Sequence, residues 1–191
     1  MCDQVHGSAV VTIATMRDAD ELRAKADGMS TIAAEAALVV KTADCAPVWI
    51  TDATDRSLTM LHAGWRGVVA GIIENALSRH ARGIGQAQLK IAVGPHLRPC
   101  CFEVGPEVAA QYAGTPAAIG SPDRLVVQRQ RKDSVSLDLA AAIVARFRRC
   151  GVMEEHIHIA SVCTRCRADL FHSYRRRGSG GPLMAAVGMI A

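Results

Sequence analysis

Short apolar segments of β type, each bounded by turn residues, dominate the sequence and most constrain how it can fold. They lie at 8–15, 37–53, 57–64, 88–95, 124–128, 156–162 and 183–190, and the second contains two runs around a polar break. Glycine, proline and charged residues between such runs are typical of strand ends. Several predicted strands follow each other too closely for helical crossovers. We therefore expect an α+β fold with mixed sheets.

Two segments carry apolar residues at helical spacing. The spacing predicts helices over 67–83, with Gly83 as its C-cap, and over 136–152, with Asp138 in the first turn. The segment 18–28 is polar, partly helical and ends in glycine. Strands and helices thus alternate along the chain, without internal repeats or a linker long enough to divide domains.

Composition narrows the class of protein. The chain has 191 residues, half of them apolar but only 4% aromatic, which suits one domain with an aliphatic core. No apolar run reaches the length of a membrane span, and the first ten residues do not form a signal peptide. The net charge is +4, and the sequence lacks the run of basic residues interleaved with aromatic residues that is typical of nucleic-acid binding. We expect a cytoplasmic protein that binds neither nucleic acid nor membranes.

The seven cysteines are odd in number and favour free thiols over a disulfide framework. The vicinal pair Cys100 and Cys101 is interpreted as structural. The pair Cys163 and Cys166, in CTRC, is most simply two free thiols near a strand end. A metal site there would need two further ligands, for which only His158 and His172 suggest themselves, and we do not predict one.

Three other segments end an apolar run with a side chain that can bind metal. They are QVH at 4–6, TADC at 42–45 and LHAGW at 61–65. Each histidine or cysteine taken singly is more often structural. Two imidazoles and one thiolate together match a catalytic zinc site, which uses three protein ligands and leaves a fourth position open. The metal ligands predicted here are His6, Cys45 and His62.

The stretch LHAGWRGV at 61–68 lies at a predicted junction between a strand and a helix. Its glycines, Gly64 and Gly67, permit a tight turn or a close backbone approach. A helix N-terminus also presents unpaired N–H groups to an anion. Arg66, at this junction, is therefore a candidate for binding an anionic group.

Six motifs occur in the order DQVHG, KADGM, TADCAPV, HAGWRG, VGPHLRPCCFEVG and FHSYRRR. This order resembles the YfiH family, long called laccase-domain or multicopper polyphenol oxidase proteins, over nearly the whole chain. The resemblance implies a layered α/β/β/α fold, cytoplasmic residence and metal ligands at His6, Cys45 and His62. It also implies an enzyme that cleaves adenosine, inosine or methylthioadenosine with phosphate and deaminates adenosine.

The residues suit such chemistry. Bound zinc polarises a substrate oxygen or activates water, and phosphorolysis needs positive charge beside the sugar carbon. Arg66 is the first candidate for holding phosphate, while Arg175 and Arg176 are weaker ones. Trp65 either stacks on a base or fills the core, and the core is favoured. Tyr174 has the same two readings as a substrate-binding residue.

Two carboxylates are candidates for a direct role. Asp44 neighbours Cys45, so in a regular strand its side chain would point to the opposite face. At a strand end it could turn into the site as a proton acceptor or an orienting group. Glu103 is a candidate general base, or a partner that orients a ligand histidine.

The chain departs from the family pattern at both ends. Family members usually carry about 50 residues before the QVH segment, whereas here His6 would lie near a chain end, where fraying is common. We expect the native product to be longer, and an in-frame upstream stop without another start codon would reject this. Lost strands would expose a sheet edge and favour self-association, so a homodimer is one expected assembly. Gly181 is followed by proline where the family commonly has arginine, and Arg177 is the candidate substitute.

Three alternatives to the zinc-dependent nucleoside enzyme stay open. Two histidines and a cysteine also suit copper, as the polyphenol oxidase name implies. A multicopper oxidase needs many more histidines than the seven here, which include one His-x-His pair at 156 and 158. Cys45 and His62 could instead form the nucleophile and base of a hydrolase or amidase. The last alternative is a remnant without catalytic activity.

Overall fold

A computed structural model of the chain describes residues 1–15, 24–34, 36–52, 56–80, 88–113, 126–131 and 134–190. The strands are β1 (Val10–Ile13), β2 (Gly28–Thr31), β3 (Ala37–Thr42), β4 (Ala46–Asp52), β5 (Leu58–Ala63), β6 (Leu89–Val93), β7 (Glu103–Val104), β8 (Val126–Arg131), β9 (Ser134–Leu137), β10 (Ile157–Ile159) and β11 (Met184–Met189). The helices are α1 (Trp65–Val69), α2 (Ile72–Arg79), α3 (Pro106–Ala113), α4 (Leu139–Arg149) and α5 (Tyr174–Arg177), with a 3-10 turn at Glu154–His156.

The largest sheet has six strands in the order β1-β2-β5-β4-β6-β10. Its two outer pairs, β1 with β2 and β6 with β10, are parallel, while the inner pairs are antiparallel. A two-stranded antiparallel sheet of β11 and β3 and a three-stranded sheet of β7, β9 and β8 complete the set. The mixed sheets confirm the predicted α+β class.

The six-stranded sheet is apolar on both faces. On one face, Ile72 and Ile73 of α2 and Phe147 of α4 pack in a core with Ile50 and Ile91. On the other, Met29, Leu58 and Met60 form a second core with Leu38 and Ala186 of the two-stranded sheet. The described residues thus contribute helix, sheet and sheet layers in this order.

The structure differs from the predicted helices where backbone chemistry intervenes. The predicted helix at 67–83 is two helices, because Gly71 adopts φ of +90° between α1 and α2. The residues around Gly83 lie outside the described part of the chain, as does most of 18–28. Asp138 is the N-cap of α4 and its side chain accepts a hydrogen bond from the Ala141 amide at 2.9 Å. The segment before it is β9, so the predicted helix began three residues too early.

In the part of the chain that the structure describes, no helix combines the length and apolar character needed to cross a membrane.

Candidate metal centre and adjoining pocket

Strand pairing brings Cys45 and His62 together. β4 and β5 run antiparallel with Ala46 opposite Ala63 and Pro47 opposite His62. Cys45 directly precedes β4, so it lies beside the end of β5 that carries His62. The positions are therefore set by the register of two strands in the centre of the sheet.

His6 reaches the same point from the N-terminal segment. Asp3 forms a bridge with Lys25, and the side-chain amide of Gln4 donates to the Lys41 carbonyl at 2.7 Å. The Lys41 amide donates in return to Gln4 Oε1 at 2.8 Å. These contacts hold His6 in place despite its position near the start of the sequence.

The three predicted ligands lie close together. A nitrogen of His6, the sulfur of Cys45 and a nitrogen of His62 are all within 4.8 Å of one another. The two imidazole rings meet edge to face, with centroids 4.8 Å apart. His6 is exposed, Cys45 is half-buried and His62 is buried, so the cluster extends from the core to the surface.

Asp27 organises both histidines. Its Oδ1 lies 2.7 Å from His62 Nδ1 and accepts the His6 amide at 3.0 Å, while Oδ2 accepts the amides of Val5 and Gly7. Since Nδ1 of His62 is engaged by a carboxylate, Nε2 is left for a metal ion. Asp27 is thus the carboxylate that contacts His62, whereas the sequence suggested Glu103 as a general base or as the partner of a predicted ligand histidine.

The electrostatics of the cluster follow from burial. Burial lowers the pKa of His62, a change that the Asp27 hydrogen bond only partly offsets, so its imidazole is neutral near pH 7. Burial also acts to raise the pKa of Asp27, but hydrogen bonds from His62 and three backbone amides keep it below the usual value. Burial, with Asp44 and Asp27 nearby, raises the pKa of the metal-free Cys45 thiol to about 12.

The two glycines of HAGWRG permit close approaches. A Cβ on Gly64 would lie 2.9 Å from Cys45 Sγ and 3.4 Å from His6 Cδ2. A Cβ on Gly67 would lie 2.7 Å from the Gly7 carbonyl oxygen, in the segment that carries His6. The glycines therefore leave room for the sulfur and for docking of the N-terminal segment.

Asp44 occupies the turn between β3 and β4 with φ of +88°, and His6 has φ of +59°. Such values are uncommon outside glycine and cluster at functional sites. The Asp44 carboxylate is buried and accepts hydrogen bonds from Thr164 Oγ1 at 2.6 Å, Ser173 Oγ at 3.0 Å and the Arg175 amide at 2.7 Å. These contacts suit an orienting group that ties the turn before β4 to the C-terminal segment.

A pocket of about 670 Å³ opens beside the cluster. This volume lies within the usual range for small-molecule sites. Its walls combine apolar side chains with three cations and two carboxylates, and include His6, Cys45, His62, Trp65, Leu97, Phe102, Leu139, Tyr174, Lys41, Arg66, Arg175, Asp3 and Asp44.

Trp65 packs against the main core, as favoured from the sequence, and also lines the pocket, so stacking on a base stays a prediction. The Arg66 guanidinium stacks over the Trp65 ring at 4.6 Å. Arg175 lies over the Phe102 ring at 5.6 Å and donates to the Glu103 carbonyl at 2.6 Å. Tyr174 is exposed at the pocket edge.

Arg176 and Glu103 were predicted as site residues but are absent from the described pocket lining. The Arg176 guanidinium donates to the carbonyls of Thr164, Arg165 and Phe171, and the described pocket lining does not include it. The lining also contains Phe102 but not its neighbour Glu103. We therefore do not carry Arg176 forward as a substrate-binding residue.

Sequence reasoning missed Asp27 and Lys41. Asp27 lies in the motif KADGM, which supported the family resemblance without suggesting a role for the acid. Lys41 is the last charged residue of β3 and lies four positions before Cys45. A cation so close in sequence to a predicted ligand could have indicated that it lines the pocket.

Comparison with known proteins identifies the family of the chain. The family model described as multi-copper polyphenol oxidoreductase laccase matches residues 1–190. The chain belongs to this family, the YfiH family.

Relatives within the YfiH family carry enzyme names. The chain is 30% identical to purine nucleoside phosphorylase YlmD of Geobacillus stearothermophilus, over 98% of this chain and 70% of the relative. The crystal structure of YlmD superposes with a TM-score of 0.87, over 100% of this chain and 73% of that one. Adenosine deaminase RL5, from an unknown prokaryotic organism, is 31% identical over 84% of this chain and 62% of its own length. The structure of YfiH from Bacillus licheniformis has a TM-score of 0.87 at 26% identity, covering 98% of this chain and 73% of that one.

Proposed function

We propose that this YfiH-family chain is a zinc-dependent purine nucleoside enzyme. It would cleave adenosine, inosine and S-methyl-5′-thioadenosine with phosphate to the free base and the (methylthio)ribose 1-phosphate, and deaminate adenosine. The observation that carries the proposal is the convergence of His6, Cys45 and His62 on an open pocket lined by cations. The names of relatives at about 30% identity support the substrate class.

The residues fit a zinc ion. Two imidazole nitrogens and one sulfur are a donor set that zinc uses in catalytic sites with an open fourth position. The Asp27 carboxylate fixes the tautomer of His62 by its contact with Nδ1, as carboxylates beside zinc-binding histidines commonly do. When bound, zinc would polarise a substrate oxygen or make water a nucleophile near pH 7.

Arg66 and Arg175 would hold phosphate beside the sugar. Both line the pocket, and each guanidinium rests on an aromatic ring that restricts its motion. Lys41 adds a third positive charge at the rim. In phosphorolysis a phosphate oxygen forms a bond to C1′ while the glycosidic C–N bond breaks and its electron pair goes to the purine. Cations around phosphate keep the incoming anion in line with that carbon.

The apolar part of the pocket would receive the base. Leu97, Phe102 and Leu139 are buried, and Trp65 is half-buried beside them. Such a wall binds a flat purine and excludes bulk water from the glycosidic bond. For deamination, the oxygen of a water adds to the purine C6 and ammonia leaves, so a solvent path must reach the base from the open side.

The test is an assay of purified protein with inosine, in the presence and absence of phosphate. We expect hypoxanthine and ribose 1-phosphate only with phosphate, and inosine with ammonia when adenosine is supplied. Cys45→Ala should lose this turnover, and Cys150→Ser, which alters a half-buried cysteine at the C-cap of α4, is the control for thiol removal. Zinc-loaded protein that turns over none of adenosine, inosine and methylthioadenosine would reject the proposal and favour a remnant.

A cysteine hydrolase or amidase is the second candidate. The observation that favours it is the spatial arrangement of three side chains. The Cys45 thiol lies beside His62, a possible base, and the Asp27 carboxylate orients that imidazole. A bound metal would then block the nucleophile, so a chelator should raise amidase activity. Under the first proposal, a chelator should abolish nucleoside cleavage.

Copper oxidase chemistry fits the described donors less well. All seven histidines are in the described residues, but only His6 and His62 belong to a cluster of potential ligands. His80 and His96 are buried and engaged with neighbouring hydroxyl or carbonyl groups. A multinuclear copper centre has no further histidines to use here.

The cellular setting is also proposed. All seven cysteines are free, which suits a reducing compartment, and we propose that the enzyme works in the cytoplasm as a single-domain chain. Its assembly as a homodimer stays a prediction for a solution mass measurement.

A further inference from the structure

Four cysteines form a second cluster away from the pocket's three ligands. The sulfurs of Cys100, Cys101, Cys163 and Cys166 all lie within 4.8 Å of one another. Cys166 Sγ is 3.7 Å from Cys100 Sγ and 3.5 Å from Cys101 Sγ. The sequence suggested only His158 and His172 as further ligands for the CTRC pair, because the other two sulfurs come from a segment more than sixty positions earlier in the chain.

The sheet topology brings the two segments together. β6 and β10 are parallel neighbours, so the loops that follow them leave the same edge of the sheet. His96 forms a bridge with Cys163, and the Thr164 amide donates to the His96 carbonyl at 3.1 Å. Arg98 Nη1 donates to the Ala160 carbonyl at 3.1 Å. Backbone contacts, and not only the cysteines themselves, therefore set the spacing.

We propose that these four cysteines bind one structural zinc ion. Zinc bonded to four thiolates at about 2.3 Å in a tetrahedron separates neighbouring sulfurs by about 3.8 Å. The measured separations of 3.7 and 3.5 Å match that edge. A disulfide would need about 2.05 Å. A cluster of several irons would spread its thiolates farther apart than this group allows.

The surroundings suit a bound metal thiolate. The backbone amides of Arg98, Arg165 and Cys166 lie close to the sulfur of Cys163. Amides that point at a ligand sulfur offset the negative charge of a four-thiolate site and fix its orientation. Arg98 and Arg165 also bring positive charge within two positions of a ligand in the sequence. Each thiol that binds releases its proton to solvent, and no electron is transferred.

The ion would fasten two walls of the pocket. Phe102, which lines the pocket, directly follows Cys101. Thr164 directly follows Cys163 and donates to Asp44 in the metal-binding turn. All four coordination positions would be filled by protein, as in structural zinc sites, so this ion would not react with substrate.

The test is the zinc content of the full chain purified without chelator. We expect two zinc ions per chain in the wild type. Cys100→Ser and Cys166→Ser change exposed residues and should each lose one ion, whereas Cys150→Ser should keep both. Cys45→Ala should lose only the other ion, which separates this inference from the proposed function.

X-ray absorption at the zinc edge supplies the second measurement. In Cys45→Ala protein the remaining zinc should show only sulfur neighbours, at about 2.3 Å. The inference is overturned if Cys45→Ala protein retains no zinc, if its zinc has nitrogen or oxygen neighbours, or if thiol counting finds these cysteines oxidised to disulfides. The measurement is made on Cys45→Ala protein whose circular dichroism spectrum matches that of the wild type, because a misfolded chain would not bring the four cysteines together.

Discussion

The cluster of His6, Cys45 and His62 and the cluster of four cysteines differ in donor number and in what adjoins them. The first offers three donors, a carboxylate behind one histidine and a pocket of about 670 Å³ in front. The second offers four sulfurs on two loops braced by backbone hydrogen bonds. An ion with three protein ligands keeps a position for substrate, whereas one with four does not. The same metal would therefore do chemistry in one place and hold loops in the other.

The largest expected effect comes from Cys45→Ala. Removal of the sulfur takes away one of three donors, and we expect nucleoside turnover to fall at least about 10³-fold, because metal assistance supplies several kcal/mol. Steady-state rates with inosine and phosphate measure this. Cys166→Ser should retain most of the rate at moderate temperature, since it alters only the proposed structural site.

If the two variants lost activity equally, the distinction between a catalytic and a structural site would fail. Unchanged turnover in Cys45→Ala would remove the sulfur from the mechanism altogether.

A smaller loss is expected for Asp27→Asn. The amide keeps the size of the side chain but cannot accept from His62 Nδ1 and three backbone amides with the strength of a carboxylate. Mutation of such partners typically costs 10- to 100-fold in metal affinity or activity. Zinc competition with a chromophoric chelator reads out the affinity, and the four-cysteine site should keep its zinc. Equal weakening at both sites would indicate a general folding defect.

Gly64→Ala tests the room left for the sulfur. The new methyl group would lie 2.9 Å from Cys45 Sγ, so the sulfur must shift, and we expect zinc affinity at this site to fall about tenfold, or about 1.4 kcal/mol. Gly7→Ala is the matched control, because its Cβ would meet atoms only at 3.5 and 3.6 Å. An affinity in Gly64→Ala equal to that of Gly7→Ala would show that the close approach has no consequence.

The smallest effect is the pH dependence of the free energy of unfolding. A residue outside both clusters is used, so that loss of the fold is not confused with loss of metal. His80 is buried, with Nε2 at 2.9 Å from Ser57 Oγ and Nδ1 at 2.9 Å from Thr59 Oγ1, outside both clusters. Burial lowers its pKa, although Asp52 acts in the other direction, so below about pH 6.5 the unfolded chain binds a proton that the folded chain does not. The free energy of unfolding should therefore fall as the pH decreases.

The share of His80 is at most about 1 kcal/mol between pH 6.5 and 5.5. Urea unfolding of His80→Gln, which cannot titrate, should show a shallower decrease over that interval than the wild type. Parallel curves for the two proteins would assign the acid sensitivity elsewhere.

Most strands could be predicted from the sequence because apolar runs and turn residues are local signals. β1, β3, β4, β5, β6, β10 and β11 fall within the predicted segments. β2 was missed because its four residues, GMST, lack a strong apolar pattern, although all are buried. The last two residues of β9, Ser136 and Leu137, were assigned to a helix because the apolar pattern of α4 extends back to Leu137 across Asp138.

The meeting of His6, Cys45 and His62 could be predicted because each ends an apolar run and the family resemblance joined them, and the structure does bring them together. How they meet could not be predicted, since it depends on the register of β4 with β5 and on docking of the N-terminal segment. Asp27 acts through hydrogen bonds to residues 5–7 and to His62, which are distant from it in the sequence. No local pattern reveals such contacts. The four-cysteine cluster was missed for the same reason: β6 and β10 had to be neighbours before the CC and CTRC pairs could meet.

The most direct test is anomalous diffraction at the zinc edge from a crystal of the protein purified without added metal. The account predicts one peak at bonding distance, about 2.0–2.3 Å, from Cys45 Sγ, His62 Nε2 and a His6 ring nitrogen, and a second peak among the four clustered sulfurs. A map with no peak between Cys45 and the two histidines, from protein that cleaves inosine, would contradict it.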